Sequence, residues 1–333
     1  MEGCMMKILF TSVGRRVELI QAFRKAADEL QIKLIIIGAD IAEDAPALCF
    51  CDKAQRVCAI KDANYIPQLL SICESEKVDC LIPTIDTDLL LLAENKKRFE
   101  SIGTKVLISA VDKVKLCRDK NYTADYFISL GLKSPLPVNS VEKYEEALQN
   151  SFVSFPAFIK PKDGSSSINA YKVDNLADLK LYAKKIVDYI IQPFISGREY
   201  TIDIFCDYEG NPVFITPRER LAVRSGEVLK TRIAQNDTMI VEMLRLIADY
   251  KPCGQITVQL IQDERTGDNY YIEINPRFGG GAPLSIKAGA DSAKAVLKML
   301  NGEKLVYQEK AAKNGAIYSR FDQSICVNEG MSK

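Results

Sequence analysis

Tyr271-Ile272-Glu273-Ile274-Asn275-Pro276-Arg277-Phe278-Gly279-Gly280-Gly281 is the most informative stretch of the chain. Successive side chains of a strand point to opposite faces, so Glu273 and Asn275 share one face, and Arg277 follows where the strand ends in a glycine loop. A carboxylate and an amide oxygen side by side are hard ligands suited to Mg²⁺, and the neighbouring Arg suits a phosphate or a carboxylate. Gln255 to Gln262 reads as the hairpin partner across the turn Asp263 to Asp268, which brings Gln259 within reach as a third oxygen ligand. A lone Glu-x-Asn is more often the polar face of an edge strand. The Pro-Arg and the three glycines that follow turn the balance toward a ligand site.

Upstream, Phe155 to Lys160 reads as an apolar strand ending in a cation, and Lys162-Asp163-Gly164-Ser165-Ser166-Ser167 as a small-residue loop. A Lys there offers a point charge to phosphate oxygens, and such a loop can close backbone N–H groups over them. The surrounding segments mix strands (Ala170 to Val173, Tyr189 to Gln192, Tyr200 to Cys206, Val213 to Thr216) with helices (Tyr122 to Leu130, Leu176 to Val187, Thr238 to Tyr250) without simple alternation, an α+β pattern. The first third is different. Apolar β-branched runs at Lys7 to Thr11, Lys33 to Ala39, Arg56 to Ile60, Cys80 to Pro83 and Lys105 to Ser109 alternate with amphipathic stretches at Val17 to Leu30, Tyr65 to Glu76 and Leu89 to Phe99. That is the signature of βαβ units feeding an open parallel sheet, which ends near Asp112.

The 333 residues suffice for about two domains, and 44 basic residues balance 44 acidic ones. No global field draws such a chain to nucleic acid or to a membrane, and no apolar run approaches a membrane span. The absence of His excludes Ser-His and Cys-His nucleophile pairs and His-based zinc sites. The ten cysteines show no paired C-x-x-C knuckles. They read as reduced packing thiols of a cytoplasmic protein, Cys49 and Cys51 included, and no targeting signal is visible at the N-terminus.

In order and spacing these motifs resemble the ATP-grasp superfamily, most closely the branch of the carbamoyl-phosphate synthase large subunit and biotin carboxylase. The resemblance implies an α/β plus α+β fold. A Rossmann-like open parallel-sheet domain (residues 1–112) would precede a two-subdomain ATP-grasp region (113–310, divided near 190), with a C-terminal strand and tail at 311–333. It implies that Lys120 and Lys160 face phosphates and that Gly164, Ser165 and Ser166 belong to a phosphate-covering loop. Gln192, Pro193, Phe194 and Ile195 would form the hinge that reads adenine, although Gln192 departs from the more frequent Glu. Glu199 would hold the ribose, and Gln259, Glu273 and Asn275 would ligate Mg²⁺. Arg277 would meet the transferring phosphate or the acyl group, joined by Lys230 and Arg232 from a cation-rich segment that also holds Arg218, Arg220 and Arg224.

The implied cofactors are ATP and two Mg²⁺ ions, with Mn²⁺ as the alternative ion. The implied activity is ATP-dependent ligation of a small-molecule carboxylate to an amine, or less often a thiol, through an acyl phosphate. A synthase-like phosphorylation and a nucleotide sensor without turnover are the rivals, and a homodimer is left open. Only one ATP-grasp unit is present, which disfavours complete carbamoyl-phosphate synthesis. Two loops remain undecided between substrate and structure: Thr11 to Arg16, with Arg15 and Arg16, and Pro83 to Asp88, where Asp86 and Asp88 either face a cleft or cap the next helix.

Overall fold

The computed structural model describes residues 5–162 and 169–327, so the loop Gly164, Ser165 and Ser166 lies outside the described residues. The chain opens on a parallel sheet built from β1 (Met5–Thr11), β2 (Lys33–Asp40), β3 (Lys53–Arg56), β4 (Cys80–Pro83) and β5 (Lys105–Val106), in the order β3-β2-β1-β4-β5. Helices α1 (Val17–Leu30), α2 (Tyr65–Glu76) and α3 (Leu89–Ser101) connect them. Alternation along β1 explains its unbroken apolar run. Ile8 and Phe10 enter one core with Leu19, Ile20 and Phe23 of α1, whereas Leu9 enters another with Leu69 of α2 and Leu92 of α3. A sheet covered on both faces needs apolar residues at every position.

Strand β3 begins and ends earlier than its apolar run suggests, at Lys53–Arg56 and not at Arg56 to Ile60. It is an edge strand paired only with Ile37–Asp40, and Val57 extends the ladder by a single bond to the Asp40 carbonyl at 3.0 Å. An edge strand needs no apolar face, so hydropathy misplaced it.

Helices α4 (Val111–Arg118) and α5 (Lys120–Ser129) lead to α6 (Val141–Gln149), which sequence periodicity did not reveal. A three-stranded antiparallel sheet follows in the order β7-β6-β8, from β6 (Ala157–Pro161), β7 (Tyr171–Val173) and β8 (Tyr189–Pro193), with α7 (Leu176–Ala183) packed on it. The largest sheet has the order β13-β12-β9-β10-β11-β14. Its strands are β9 (Gly197–Cys206), β10 (Pro212–Arg224), β11 (Glu227–Ile233), β12 (Gly254–Asp263), β13 (Asn269–Asn275) and β14 (Ile317–Ser319). Helix α8 (Asp237–Tyr250) covers one face through Met239, Met243, Leu246 and Tyr250. Short helices α9 (Ala282–Ala288) and α10 (Ser292–Leu300) return the chain to α1.

Strand β10 runs for 13 residues, far beyond the Val213 to Thr216 read from apolar residues alone. Past Pro217 its side chains turn cationic, and β11 pairs with that cationic stretch from Arg218↔Ile233 to Arg224↔Glu227. Among the described residues no helix is long and apolar enough to cross a membrane.

Candidate active site

Strand alternation decides which side chains of the large sheet meet the cavity. On β9, Ile202 and Ile204 pack on α8; on β12, Ile256, Val258 and Leu260 do the same. Thr201 and Asp203, Thr257 and Gln259 therefore point to the opposite face. In the β12–β13 pair Gln259 stands opposite Glu273 and Thr257 opposite Asn275, which fixes the three candidate ligands within two rungs of one ladder. All three line a cavity of about 350 Å³ together with Arg277, Arg220 and Arg218.

The opposite wall comes from the N-terminal domain. Sheet order reverses between β1 and β4, and the loops after these two strands lie at the crevice where open α/β sheets expose ligand groups. Those loops supply Arg16 and Asp86 to the same cavity. Asp86 Oδ2 accepts from Arg277 Nη2 at 2.5 Å, so the two domains meet through the arginine that follows the ligand strand. Arg277 Nη1 donates to the Phe278 carbonyl at 3.2 Å, and Arg277 Nε is buried without a partner among the described residues. Asp88 is placed differently. Its carboxylate is buried, accepts from Thr11 Oγ1 at 2.9 Å and from Tyr65 OH at 3.0 Å, and caps no helix amide. Burial raises its pKa to about 6.

Cations crowd the cavity. Arg218 is 1% exposed and donates from Nε to Asp203 Oδ2 at 2.7 Å. Arg220 Nη2 donates to the Gly226 carbonyl at 2.8 Å, while its Nε lies 3.3 Å from Glu199 Oε2 without hydrogen-bond alignment. Burial, then the nearby Arg277, lowers the pKa of Arg16. Lys230 and Arg232 occupy exposed positions of β11 and do not line the cavity; Arg232 Nη1 lies 3.7 Å from Glu219 Oε2. The period of two places Arg218 and Arg220 on one face of β10, but it does not say which face meets the cavity, so it could not separate these cations in the sequence.

The remaining expected residues surround this cavity. A second cavity of about 230 Å³ shares Asp86, Glu273 and Asn275 and is lined by Lys120, whose Nζ donates to the Lys162 carbonyl at 3.1 Å. Lys160 lines neither cavity, but Glu273 and Lys120 are the charges it feels most. Its ammonium is buried with no carboxylate at ion-pair distance among the described residues, and burial lowers its pKa to about 8. A buried cation in that state would be stabilised by an anion brought beside it. On β8, Gln192 Nε2 donates to the Pro135 carbonyl at 2.6 Å, and just past its end the Phe194 amide donates to the Pro156 carbonyl at 3.1 Å, so both groups are engaged within the protein. Pro193 and Ile195 beside them are half-buried, and Glu199 is exposed.

The donor set fits Mg²⁺ arriving with a nucleotide. Asn275 Nδ2 donates to Glu273 Oε1 at 3.0 Å, which leaves the amide oxygen for another partner. Among the described residues no group of three or more acidic, Cys or His side chains could hold a metal alone. One carboxylate and two amides match an ion that takes its other ligands from phosphates and water.

A parallel-sheet domain set against an antiparallel sheet, with candidate oxygen ligands at the cavity between them, is the arrangement to set beside known proteins. Residues 185–323 match the family model described as ATP-grasp in the biosynthetic pathway with Ter operon, and residues 8–107 match the PylC-like, N-terminal domain. The chain thus carries an ATP-grasp domain behind a PylC-like N-terminal domain. It is 26% identical over 270 residues to the carbamoyl phosphate synthase large chain, N-terminal section, of Aquifex aeolicus, covering 72% of this chain and 48% of that protein. It is 27% identical over 250 residues to D-alanine–D-alanine ligase B of Clostridium perfringens, covering 68% and 82%. The biotin carboxylase domain of Hydrogenobacter thermophilus 2-oxoglutarate carboxylase, solved with MgADP and bicarbonate, superposes with a TM-score of 0.71 at 17% identity, covering 93% and 73%. The chain spans half or less of the carbamoyl phosphate synthase large chains that it matches.

Proposed function

We propose that the chain is an ATP-dependent ligase that joins a small-molecule carboxylate to an amine, or less often a thiol, through an acyl phosphate. The convergence of Gln259, Glu273, Asn275 and Arg277 on one cavity, closed from the other side by Asp86, supports this reading. Similarity to D-alanine–D-alanine ligase B over most of that protein's length supports C–N bond formation.

In this reading Lys160 and Lys120 hold triphosphate oxygens, and Glu199 holds the ribose. Pro193 and Ile195 border the adenine, because Gln192 and the Phe194 amide are already engaged. Gln259, Glu273 and Asn275 would hold two Mg²⁺ ions, which supply neutralising charge to the phosphates. Arg277, which lines the cavity, meets the acyl carboxylate, and Arg220 takes the charge-neutralising place that Lys230 and Arg232 are too exposed to fill. A carboxylate oxygen attacks the γ-phosphorus and the bond to ADP breaks. The amine then attacks the acyl carbon, phosphate leaves, and the amine loses a proton. Positioning and electrostatics suffice for both steps, so the absence of His is no obstacle. All nine cysteines among the described residues are free, which supports a reducing compartment such as the cytoplasm.

The test is hydroxylamine trapping. With ATP, Mg²⁺ and a carboxylate panel, the protein is expected to release ADP and to form a hydroxamate, both reduced about tenfold or more in Glu273→Gln. ADP without hydroxamate would favour phosphorylation alone. Tight ATP binding with no ADP from any carboxylate would leave a nucleotide sensor.

A further inference from the structure

Arg16 and Arg218 belong to different domains, yet they stand against adjacent residues of one turn. A Cβ at Gly280 would lie 2.8 Å from Arg16 Nη1, and a Cβ at Gly281 would lie 2.8 Å from Arg218 Nη2. Neither glycine has a positive φ, so backbone freedom does not explain them. What they supply is space, through which both guanidinium groups reach the cavity.

The two arginines are held from behind. Asp203 Oδ2, which also accepts from Ser285 Oγ at 2.5 Å, fixes Arg218 through Nε; among the described residues Nη1 of that arginine reaches only Thr231 Oγ1, at 3.5 Å. Arg16 has looser contacts: Nη2 lies 3.4 Å from the Thr84 carbonyl and Nη1 lies 3.5 Å from Glu227 Oε1. Glu227 is itself shared with Arg320 at 3.2 Å. Contacts at the outer limit of hydrogen bonding leave donors of both forks unspent. An apolar tail pushed against two half-satisfied guanidinium groups would desolvate them without compensation, whereas an anion would take up their donors.

We infer that Arg16 and Arg218 clamp a second anionic group, carboxylate or phosphate, on the acyl substrate, beyond the carboxylate activated at Arg277. This rests on the ligase reading for the word substrate, but the clamp can be measured without turnover. Calorimetric titrations in the presence of Mg²⁺ and a non-hydrolysable ATP analogue would compare succinate, glutarate and phosphoglycolate with butyrate, valerate and glycolate. Succinate, glutarate and phosphoglycolate, each with a second anionic group, are expected to bind about tenfold or more tightly than their monoanionic partners. The better of glutarate and phosphoglycolate identifies the second group. Arg16→Gln and Gly281→Ala should each erase the preference, and Arg16→Lys should restore part of it. Both variants should keep the wild-type affinity for the nucleotide analogue, which verifies the fold.

Equal binding of mono- and dianions, or a preference that survives both variants, overturns the clamp. ADP release in parallel separates the two claims. Dianion preference without ADP sinks the ligase and keeps the clamp. ADP release from monocarboxylates without preference keeps the ligase and sinks the clamp.

Discussion

Two hairpins of the large sheet build the cavity wall by different means. In β12–β13 one face is apolar, with Val258, Leu260, Tyr271 and Ile274 packed toward α8, and the opposite face presents Gln259, Glu273 and Asn275. On β10 the side chains packed toward α8 end at Ile215, and beyond it cations of β10 and β11 are answered by acids: Arg218 by Asp203, Arg220 by Glu199, Arg232 by Glu219. The first wall is rigid because it is greasy behind. The second is positioned by charge, and a buried charge cannot lose its partner cheaply.

That difference is broken most directly at Arg218. Arg218→Leu would leave the Asp203 carboxylate buried without its cation, an expected loss of roughly 3–5 kcal/mol in urea unfolding. Arg224→Leu on the same strand, where the side chain is 56% exposed, should change stability by less than about 0.5 kcal/mol. Similar losses for the two variants would mean that the buried pair does not organise the wall.

The same contrast governs what the sequence makes legible. Glu273 and Asn275 could be placed on one face from alternation, because Ile274 between them marks the other, whereas Gln259 could only be brought within reach, since its rung opposite Glu273 is set by the hairpin register. Arg218 and Arg220 could not be placed, since four arginines and a lysine within fifteen residues look alike without a buried reference face. Arg16 and Asp86 meet only because β1 and β4 are neighbours in the order β3-β2-β1-β4-β5, and single-chain periodicity carries no strand order. Alternation likewise could not show that Gln192 is turned to Pro135, a contact that depends on the tertiary path of residues 133–138. The open parallel sheet was legible because its inner strands β1, β2 and β4 are largely buried on both faces, whereas the exposed edge strand β3 was misplaced.

A second test concerns Asp88, buried in the parallel-sheet wall. Its folded pKa of about 6 lies above the unfolded value of ~3.9, because burial disfavours the charge more than Thr11 and Tyr65 favour it. The raised value means that the folded state holds the proton longer. Its contribution is complete below about pH 3.9 and is lost as pH rises through 6, on the order of 3 kcal/mol in all. Asp88→Asn keeps the acceptor for both hydroxyls and cannot ionise. Between about pH 4 and pH 7.5 the variant should therefore gain that amount on the wild type in urea unfolding. Parallel stability profiles would show that Asp88 ionises at an ordinary pH, and so that this wall is more hydrated than its geometry indicates.

The smallest expected effect sharpens the comparison from outside both hairpins, at Lys160 on β6. Burial, aided by Lys120 and opposed by Glu273, holds its ammonium down to about 8. A triphosphate beside it would favour the charged form, so binding above about pH 8 must take up a proton. ATP affinity should accordingly be flat with respect to this group below about pH 7 and fall toward about tenfold per pH unit well above 8. Phosphate groups titrate near ~6 and do not enter that window. Adenosine, which lacks the phosphates, should show no such slope. Lys160→Gln should weaken ATP more than adenosine and remove the slope, because the variant has no proton to gain. If the slope persists in Lys160→Gln, or if both ligands weaken alike, the buried ammonium of β6 serves the packing of the three-stranded sheet and the triphosphate lies elsewhere.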